Sequence, residues 1–194
     1  DTMKKGEASK EHLIVCAGDL FWRNGYEATG LSDILKASGL TKGSFYFYFK
    51  SKEELAAAVV GYYHRVVFEW LQGFAKAAAW ETFVPRFMKP MQEGAAAGRH
   101  YGCPIAVVGM EVAFSHPELG KTYMAAMEEL QRLFQQVLLQ SGLTQEQAGP
   151  LAARLFALYE GELLLFRLSR DPERLVEMEQ QLLAVYREYR KQYC

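Results

Sequence analysis

Between residues 30 and 55 the chain carries three successive helix-start signals, and their spacing constrains the fold more than any other feature. Thr29 or Gly30 can cap a helix that begins at Leu31, with Asp33 in its first turn and Gly39 as the stop after Ser38. Thr41 can cap a second short helix running from Lys42 to Phe49. Ser51-Lys52-Glu53-Glu54, a serine followed three residues later by a glutamate, is a capping box that opens a long helix through Leu55, Val59, Tyr62, Tyr63, Val66 and Trp70. Two short helices joined by a tight glycine-containing turn are the outline of a helix-turn-helix.

The rest of the chain reads as helix too. Leu13, Ile14, Ala17, Leu20 and Phe21 recur at helical steps before Asn24-Gly25, so Gly25 reads as a helix stop and not as a hairpin turn. Breaks are expected at residues 80–85, 94–104, 115–117, 141–142 and 169–172. Pro104, Pro117 and Pro172 suit first helical turns, where a missing N–H costs nothing. Asp171 is a good cap, and Thr144-Gln145-Glu146-Gln147 is another capping box. Pro150 implies either a kink in the helix that follows or a restart at Gly149-Pro150. The expectation is an all-α fold of about nine helices, without repeats, low-complexity tracts or an evident linker.

Charge and cysteine content exclude several function classes. Lys+Arg is 22 and Asp+Glu is 23 over 194 residues, a net charge of −1, which argues against a polybasic, coating nucleic-acid binder. Residues 1–52 nevertheless hold eight basic against six acidic residues, and residues 53–194 fourteen against seventeen. No apolar run is long enough to span a bilayer, and no signal-peptide stretch follows the charged start. Cys16, Cys103 and Cys194 are far apart and form no CxxC pattern, so free thiols in a reducing cytoplasm are expected, with no metal site and no cofactor. GxSxG, HExxH, P-loop and GxGxxG motifs are missing, and His12, His64, His100 and His116 are scattered. No catalytic residues are assigned; His100 near Cys103 is the only pair resembling a nucleophile and its base.

In a helix-turn-helix the second helix enters the major groove N-terminus first, which places Thr41, Lys42, Gly43 and Ser44 near DNA. Lys42 can reach a phosphate or a guanine edge, the two hydroxyls can bond phosphate or bases, and Gly43 lets the backbone approach. In the run Phe45-Tyr46-Phe47-Tyr48-Phe49, Phe45 and Phe49 lie one turn apart and are assigned to the core with Leu20, Phe21 and Ile34. Tyr46 and Tyr48 are assigned to phosphate contact. Phe47 either packs or touches a thymine methyl. Lys50 and Lys52 flank the next cap and suit phosphate anchoring.

Residues 11–63 resemble the N-terminal domain of the TetR family of transcriptional regulators. The resemblance is carried by Ala17, Leu20, Phe21, Gly25-Tyr26, Ala28-Thr29, Leu31, Asp33-Ile34, Ala37, Gly39-Leu40, Lys42-Gly43-Ser44, Tyr46, Phe49 and Ser51-Lys52-Glu53-Glu54-Leu55. It implies a three-helix DNA-binding domain over residues 1–52, and a ligand-binding and dimerisation domain over residues 53–194. It further implies a homodimer acting on operator DNA, usually as a repressor. The implied DNA contacts are Thr41, Lys42, Gly43, Ser44, Tyr46, Phe47, Tyr48 and Lys52; Tyr48 stands where the family commonly has a histidine.

The penultimate helix carries two apolar stripes, one of Leu151, Leu155, Leu158, Glu162 and Leu165 and one of Ala152, Phe156, Tyr159, Leu163 and Phe166. The final helix offers Leu175, Met178, Leu182, Val185, Tyr186 and Tyr189. One stripe of each faces the core, and the surplus stripe calls for a partner helix. The stretch from Glu160-Gly161-Glu162-Leu163 to Asp171-Pro172 resembles the family's four-helix dimer interface, where Gly161 allows close helix approach, and the interface is assigned to Leu151, Leu155, Leu158, Glu162, Leu165, Leu175, Met178 and Leu182. Aromatic and methionine residues in the middle suit either core or an adaptable apolar pocket. The pocket for a small apolar or aromatic inducer is assigned to Trp70, Phe74, Phe87, Met91, Tyr101, Cys103, Met110 and Phe114. The segment from Gly102 to Ile105, with Glu111 following, resembles a subgroup that answers to small aromatics or electrophiles, which makes Cys103 either a thiol sensor or a small buried apolar residue. The rival readings are a helical small-molecule binder without specific DNA binding and a Cys/His enzyme.

Overall fold

The computed structural model describes residues 2–193; Cys194, read above as a free thiol, lies outside them. Among the described residues the chain forms nine helices and no strand: α1 (Thr2–Asn24), α2 (Leu31–Ser38), α3 (Lys42–Tyr48), α4 (Lys52–Ala75), α5 (Trp80–Ala96), α6 (Pro104–Val112), α7 (Pro117–Gln140), α8 (Gln145–Ser169) and α9 (Glu173–Tyr193). None of them is long and apolar enough to cross a membrane. The helices divide into two compact units: residues 1–66 with 104–127, and residues 67–103 with 128–194. The division does not follow the expected boundary after residue 52, because α6 and the first part of α7 group with the N-terminal helices.

The helix boundaries follow the local chemistry. Gly25 leaves α1 at φ +95°, with its amide on the Phe21 carbonyl, and Gly39 ends α2 at φ +68°. The Asp33 carboxylate accepts the Gly30 amide at 2.9 Å, closing the start of α2. Thr41 Oγ1 accepts the Ser44 amide at 3.1 Å and caps α3. At α4 the Ser51 hydroxyl accepts the Glu54 amide at 3.1 Å, while the Glu54 carboxylate reaches one residue past the cap to the Lys50 amide at 2.8 Å. Thr144 and Gln147 form the reciprocal box that opens α8, and the Asp171 carboxylate accepts the Glu173 amide at α9.

The break expected at residues 80–85 lies before Trp80, and α5 runs through Pro85 and Pro90. Of the two readings of Pro150, a kink or a restart, the restart does not occur: α8 is continuous through it. A proline inside a helix costs about 3 kcal/mol or more. On α5 that cost is met by burial of Trp80, Phe83, Val84, Phe87, Met88 and Met91 on one face, each contributing about 1.5–3 kcal/mol. In the first unit α1 packs on α2 and α6 around Leu13, Ala17, Phe21, Ile34, Phe45 and Phe49. Leu20, expected in that core, is only half-buried. In the second unit α9 packs on α5 and α8, and the Trp80 indole N–H donates to the Leu182 carbonyl at 3.2 Å.

Candidate functional site

α3 is a two-faced helix. Phe45 and Phe49 are buried, 6.2 Å apart between ring centres, and fix one face into the core. Thr41, Lys42, Gly43, Tyr46 and Phe47 are exposed, and Ser44 and Tyr48 are half-buried. Residues 42, 43, 46 and 47 recur at helical spacing, so they share the outward face. Tyr46 is 51% exposed and Phe47 80%. Exposure of this size removes packing as the reason for a phenylalanine at position 47, one of the two readings its sequence context allowed. The Lys42 ammonium lies 6.0 Å from the centre of the Tyr46 ring. A side chain added at Gly43 would meet only Thr41 Oγ1, at 3.8 Å, so backbone approach from outside is open.

Lys52 is placed differently from the other basic residues. Its ammonium donates to the Tyr26 carbonyl at 2.9 Å and the Thr29 carbonyl at 3.3 Å, and stands 4.1 Å over the Tyr26 ring. It ties α4 to the turn before α2, so its charge is committed inside the unit instead of being held out as a phosphate anchor. Lys50 is exposed.

The same turn is held from a second direction. The Glu111 carboxylate on α6 accepts the Tyr26 amide at 3.2 Å and the Glu27 amide at 2.7 Å. Gly25 is required beside it: a side chain there would lie 2.6 Å from Glu111 Oε1, on a backbone already at positive φ. His116 faces the Tyr26 ring and places Nδ1 3.2 Å from Glu53. The sequence gives no spacing signal for Glu111, which lies 85 residues from the amide it caps.

In the second unit the aromatic side chains form one connected cluster. Trp70 lies 5.4 Å from Phe74 and 6.2 Å from Phe87. Phe87 continues to Phe83, Phe134 and Tyr159 at 4.8, 6.4 and 6.0 Å. Phe87 and Met91 are buried, while Trp70 and Phe74 are half-buried. Of the expected pocket residues, Met110 and Phe114 do not belong here. They are 52% and 98% exposed. α6 buries Ile105, Val108 and Val112, which leaves Met110 on its outer side, and Phe114 stands beyond its last turn.

Residues 100–103 lie against α8. Gly102 approaches the Leu163 carbonyl and the Arg167 side chain, and Arg167 donates to the Tyr101 carbonyl at 2.6 Å. The His100 ring packs on Phe166 and its Nδ1 accepts the Gly102 amide, while burial pushes its pKa down to about 4. Cys103 is buried, and its thiol engages the Glu160 carboxyl. Both Glu160 oxygens are shielded from solvent, and neither has an N–H or O–H partner among the described residues. Burial pushes the Glu160 pKa up to about 7, with the thiol pulling it back only in part. Burial, with Glu160 nearby, also raises the Tyr159 phenol. No spacing pattern in the sequence singles out Glu160.

The expected dimer residues divide. Leu151, Leu155, Leu175, Met178 and Leu182 are buried within one chain and belong to the core shared by α8 and α9. Glu162 is paired with Arg174 at 3.0 Å. Leu158 is half-buried and Leu165 is 41% exposed. The outward face of α8 is instead Ala157, Gly161, Leu164 and Leu168, flanked by Leu165, with Leu164 at 40% and Leu168 at 73% exposure.

Comparison with known proteins agrees with this architecture. The pattern of bacterial regulatory proteins of the TetR family matches residues 9–59, and that of the LmrA/YxaF-like transcriptional regulator C-terminal domain matches residues 77–181. The HTH-type transcriptional regulator YxaF of Bacillus subtilis is 27% identical over 185 residues, spanning 92% of this chain and 95% of that protein. The HTH-type transcriptional repressor NemR of Escherichia coli is 27% identical over 125 residues, 62% of this chain and 60% of that one. The crystal structure of a TetR transcriptional regulator from Chloroflexus aurantiacus superposes with a TM-score of 0.76 at 29% identity, over 92% of this chain and 94% of its own.

Proposed function

The chain belongs to the TetR family and is a DNA-binding transcriptional regulator, and from that premise we propose that it is a homodimeric repressor released from its operator by a small aromatic ligand. The observation that carries the DNA-reading part is the outward face of α3: Lys42, Gly43, Tyr46 and Phe47 exposed on a helix whose other face is locked by Phe45 and Phe49. Thr41, Ser44 and the half-buried Tyr48 flank that face. Lys42 supplies charge to phosphate or a guanine edge, and Phe47 supplies an apolar contact to a thymine methyl. Lys52 acts indirectly, by fixing the turn that sets the angle of α2.

The repressor assignment is supported by the similarity to the NemR repressor. The homodimer reading is supported by the uncovered apolar face of α8 around Leu164 and Leu168. The ligand site is assigned to the cluster of Trp70, Phe74, Phe87, Met91 and Tyr159, with Tyr101 and Cys103 beside it. Between the two inducer classes the aromatic one is favoured. Cys103 is buried, so an electrophile has no open path to its thiol. The enzyme reading is set aside because the relatives are named as regulators.

The test is a gel-shift titration with the DNA upstream of the protein's own gene, repeated at several salt concentrations and with an excess of unrelated duplex. A specific shift, abolished by Lys42→Ala with Phe47→Ala, supports the reading. Equal affinity for unrelated duplex refutes it.

A further inference from the structure

Glu160 has no assigned role in the fold. It sits in the middle of α8, next to Tyr159, whose ring belongs to the aromatic cluster. Both carboxyl oxygens are shielded and lack an N–H or O–H partner among the described residues. A buried carboxyl in that condition destabilises the protein that carries it, so a structural purpose does not account for it. A second copy of the chain does not account for it either, because the oxygens are already covered within one chain. What remains is a donor that arrives from outside and enters the cluster. The cluster has half-buried rings at Trp70 and Phe74, and in Met91 a side chain that repacks readily.

We propose that Glu160 is the recognition carboxyl for the protonated amine of an aromatic inducer, whose ring lies against Tyr159 and Phe87. This rests on the reading of the cluster as the ligand site and deepens it by naming the ligand's second feature. A cation beside a shielded carboxylate forms a charge-assisted hydrogen bond in low dielectric, where such bonds are strongest. The rings of Phe87, Phe134 and Tyr159 already touch one another, 5.5 to 6.4 Å apart between ring centres, so an entering aromatic ring takes its place by repacking them and keeps the same edge and tilted contacts. The Cys103 thiol serves as the partner that Glu160 keeps while the site is empty.

The test uses two probes of one shape, 2-(naphthalen-1-yl)ethylamine and the uncharged 1-ethylnaphthalene, titrated into the full chain by calorimetry at pH 8. Wild type is compared with Glu160→Gln and Glu160→Asp, each checked by circular dichroism and thermal melting. The expected result is an affinity for the amine about ten- to hundredfold above that for the hydrocarbon. Glu160→Gln is expected to abolish the preference while leaving hydrocarbon binding within about twofold, and Glu160→Asp to retain part of it. A preference that survives in Glu160→Gln, or hydrocarbon binding with no preference in wild type, overturns the Glu160 assignment and leaves the aromatic site standing. Binding of neither probe overturns the aromatic site and the assignment together. If Glu160→Gln does not fold, the Glu160→Asp titration decides by the same criterion: an undiminished preference overturns the assignment and a weakened one supports it.

Discussion

Replacing Glu160 by glutamine keeps the shape of the side chain and removes its titration, and the structure fixes how stability should respond. The Glu160 pKa stands at about 7 against an ordinary 4.5. Between these values the folded protein holds a proton that the unfolded chain has released. Stability therefore falls as pH rises from 4.5 through 7 and is level above that. At 1.36 kcal/mol per pH unit the ionised side chain costs the fold about 3 kcal/mol at pH 8. Glutamine carries a fixed cost for its buried amide, the same at every pH. The difference in stability between Glu160→Gln and wild type should accordingly shift by about 3 kcal/mol in favour of the variant between pH 4.5 and pH 8. For a chain of this size that widens the gap in thermal midpoint by about 6–12 °C. His100 works in the opposite sense: its pKa is pushed down to about 4 from 6.5, so its contribution is lost as pH falls through that range. It is present in both proteins and cancels in the difference. The measurement is a set of calorimetric melts at fixed protomer concentration across this range. A gap that does not change with pH, or one that moves in favour of wild type as pH rises, refutes the reasoning.

Other consequences are direct. Phe47→Ala should change stability by no more than about 0.5 kcal/mol, because the ring is 80% exposed and meets only the edge of Tyr48, while operator affinity falls on the order of tenfold; parallel melts and gel shifts check both. Lys42→Ala should lower the slope of log affinity against log salt by about one, and a slope unchanged from wild type would remove Lys42 from the phosphate contacts. Gly25→Ala should destabilise the protein by about 1–3 kcal/mol in urea unfolding, since it strains a positive φ and displaces Glu111. Leu164→Glu with Leu168→Glu should leave the helix content intact and shift sedimentation equilibrium to the monomer; a dimer of undiminished affinity would place the interface elsewhere.

The helix ends were legible in the sequence because their causes are local. Thr41 and Ser44, Ser51 and Glu54, and Thr144 and Gln147 are three residues apart and meet by geometry alone. The contacts that orient the helices were not legible, because their partners are remote. Lys52 belongs to a motif that suggests DNA, yet its acceptors are 26 and 23 residues away, and nothing at position 52 announces them. Nothing in the spacing around Glu111 or Glu160 announces what their carboxyls meet. One is recognised only when α6 brings it to the Tyr26 amide, the other only when its carboxyl is shielded with no N–H or O–H partner among the described residues.

α8 shows why periodicity alone does not tell its two apolar sides apart. Leu151, Leu155, Tyr159, Leu163 and Phe166 face inward, but Ala157, Gly161, Leu164 and Leu168 recur at the same helical spacing on the opposite side. A helix that is apolar on both sides has no polar face to say which side is the core. The choice is made by volume: the inward side includes Phe156, Tyr159 and Phe166, which fill the space against Phe134 and His100. The outward side is lined by Ala, Gly and Leu, which fill little space and allow a second helix to come close. Gly161, the glycine that allows close helix approach, has nothing within 4 Å of where its side chain would be and so lies on the outward side. On that argument Gly161→Leu should weaken self-association without lowering the stability of the single chain, since the added side chain meets nothing inside it. A loss of intrinsic stability measured on the monomeric Leu164→Glu/Leu168→Glu background would show that the face is not free.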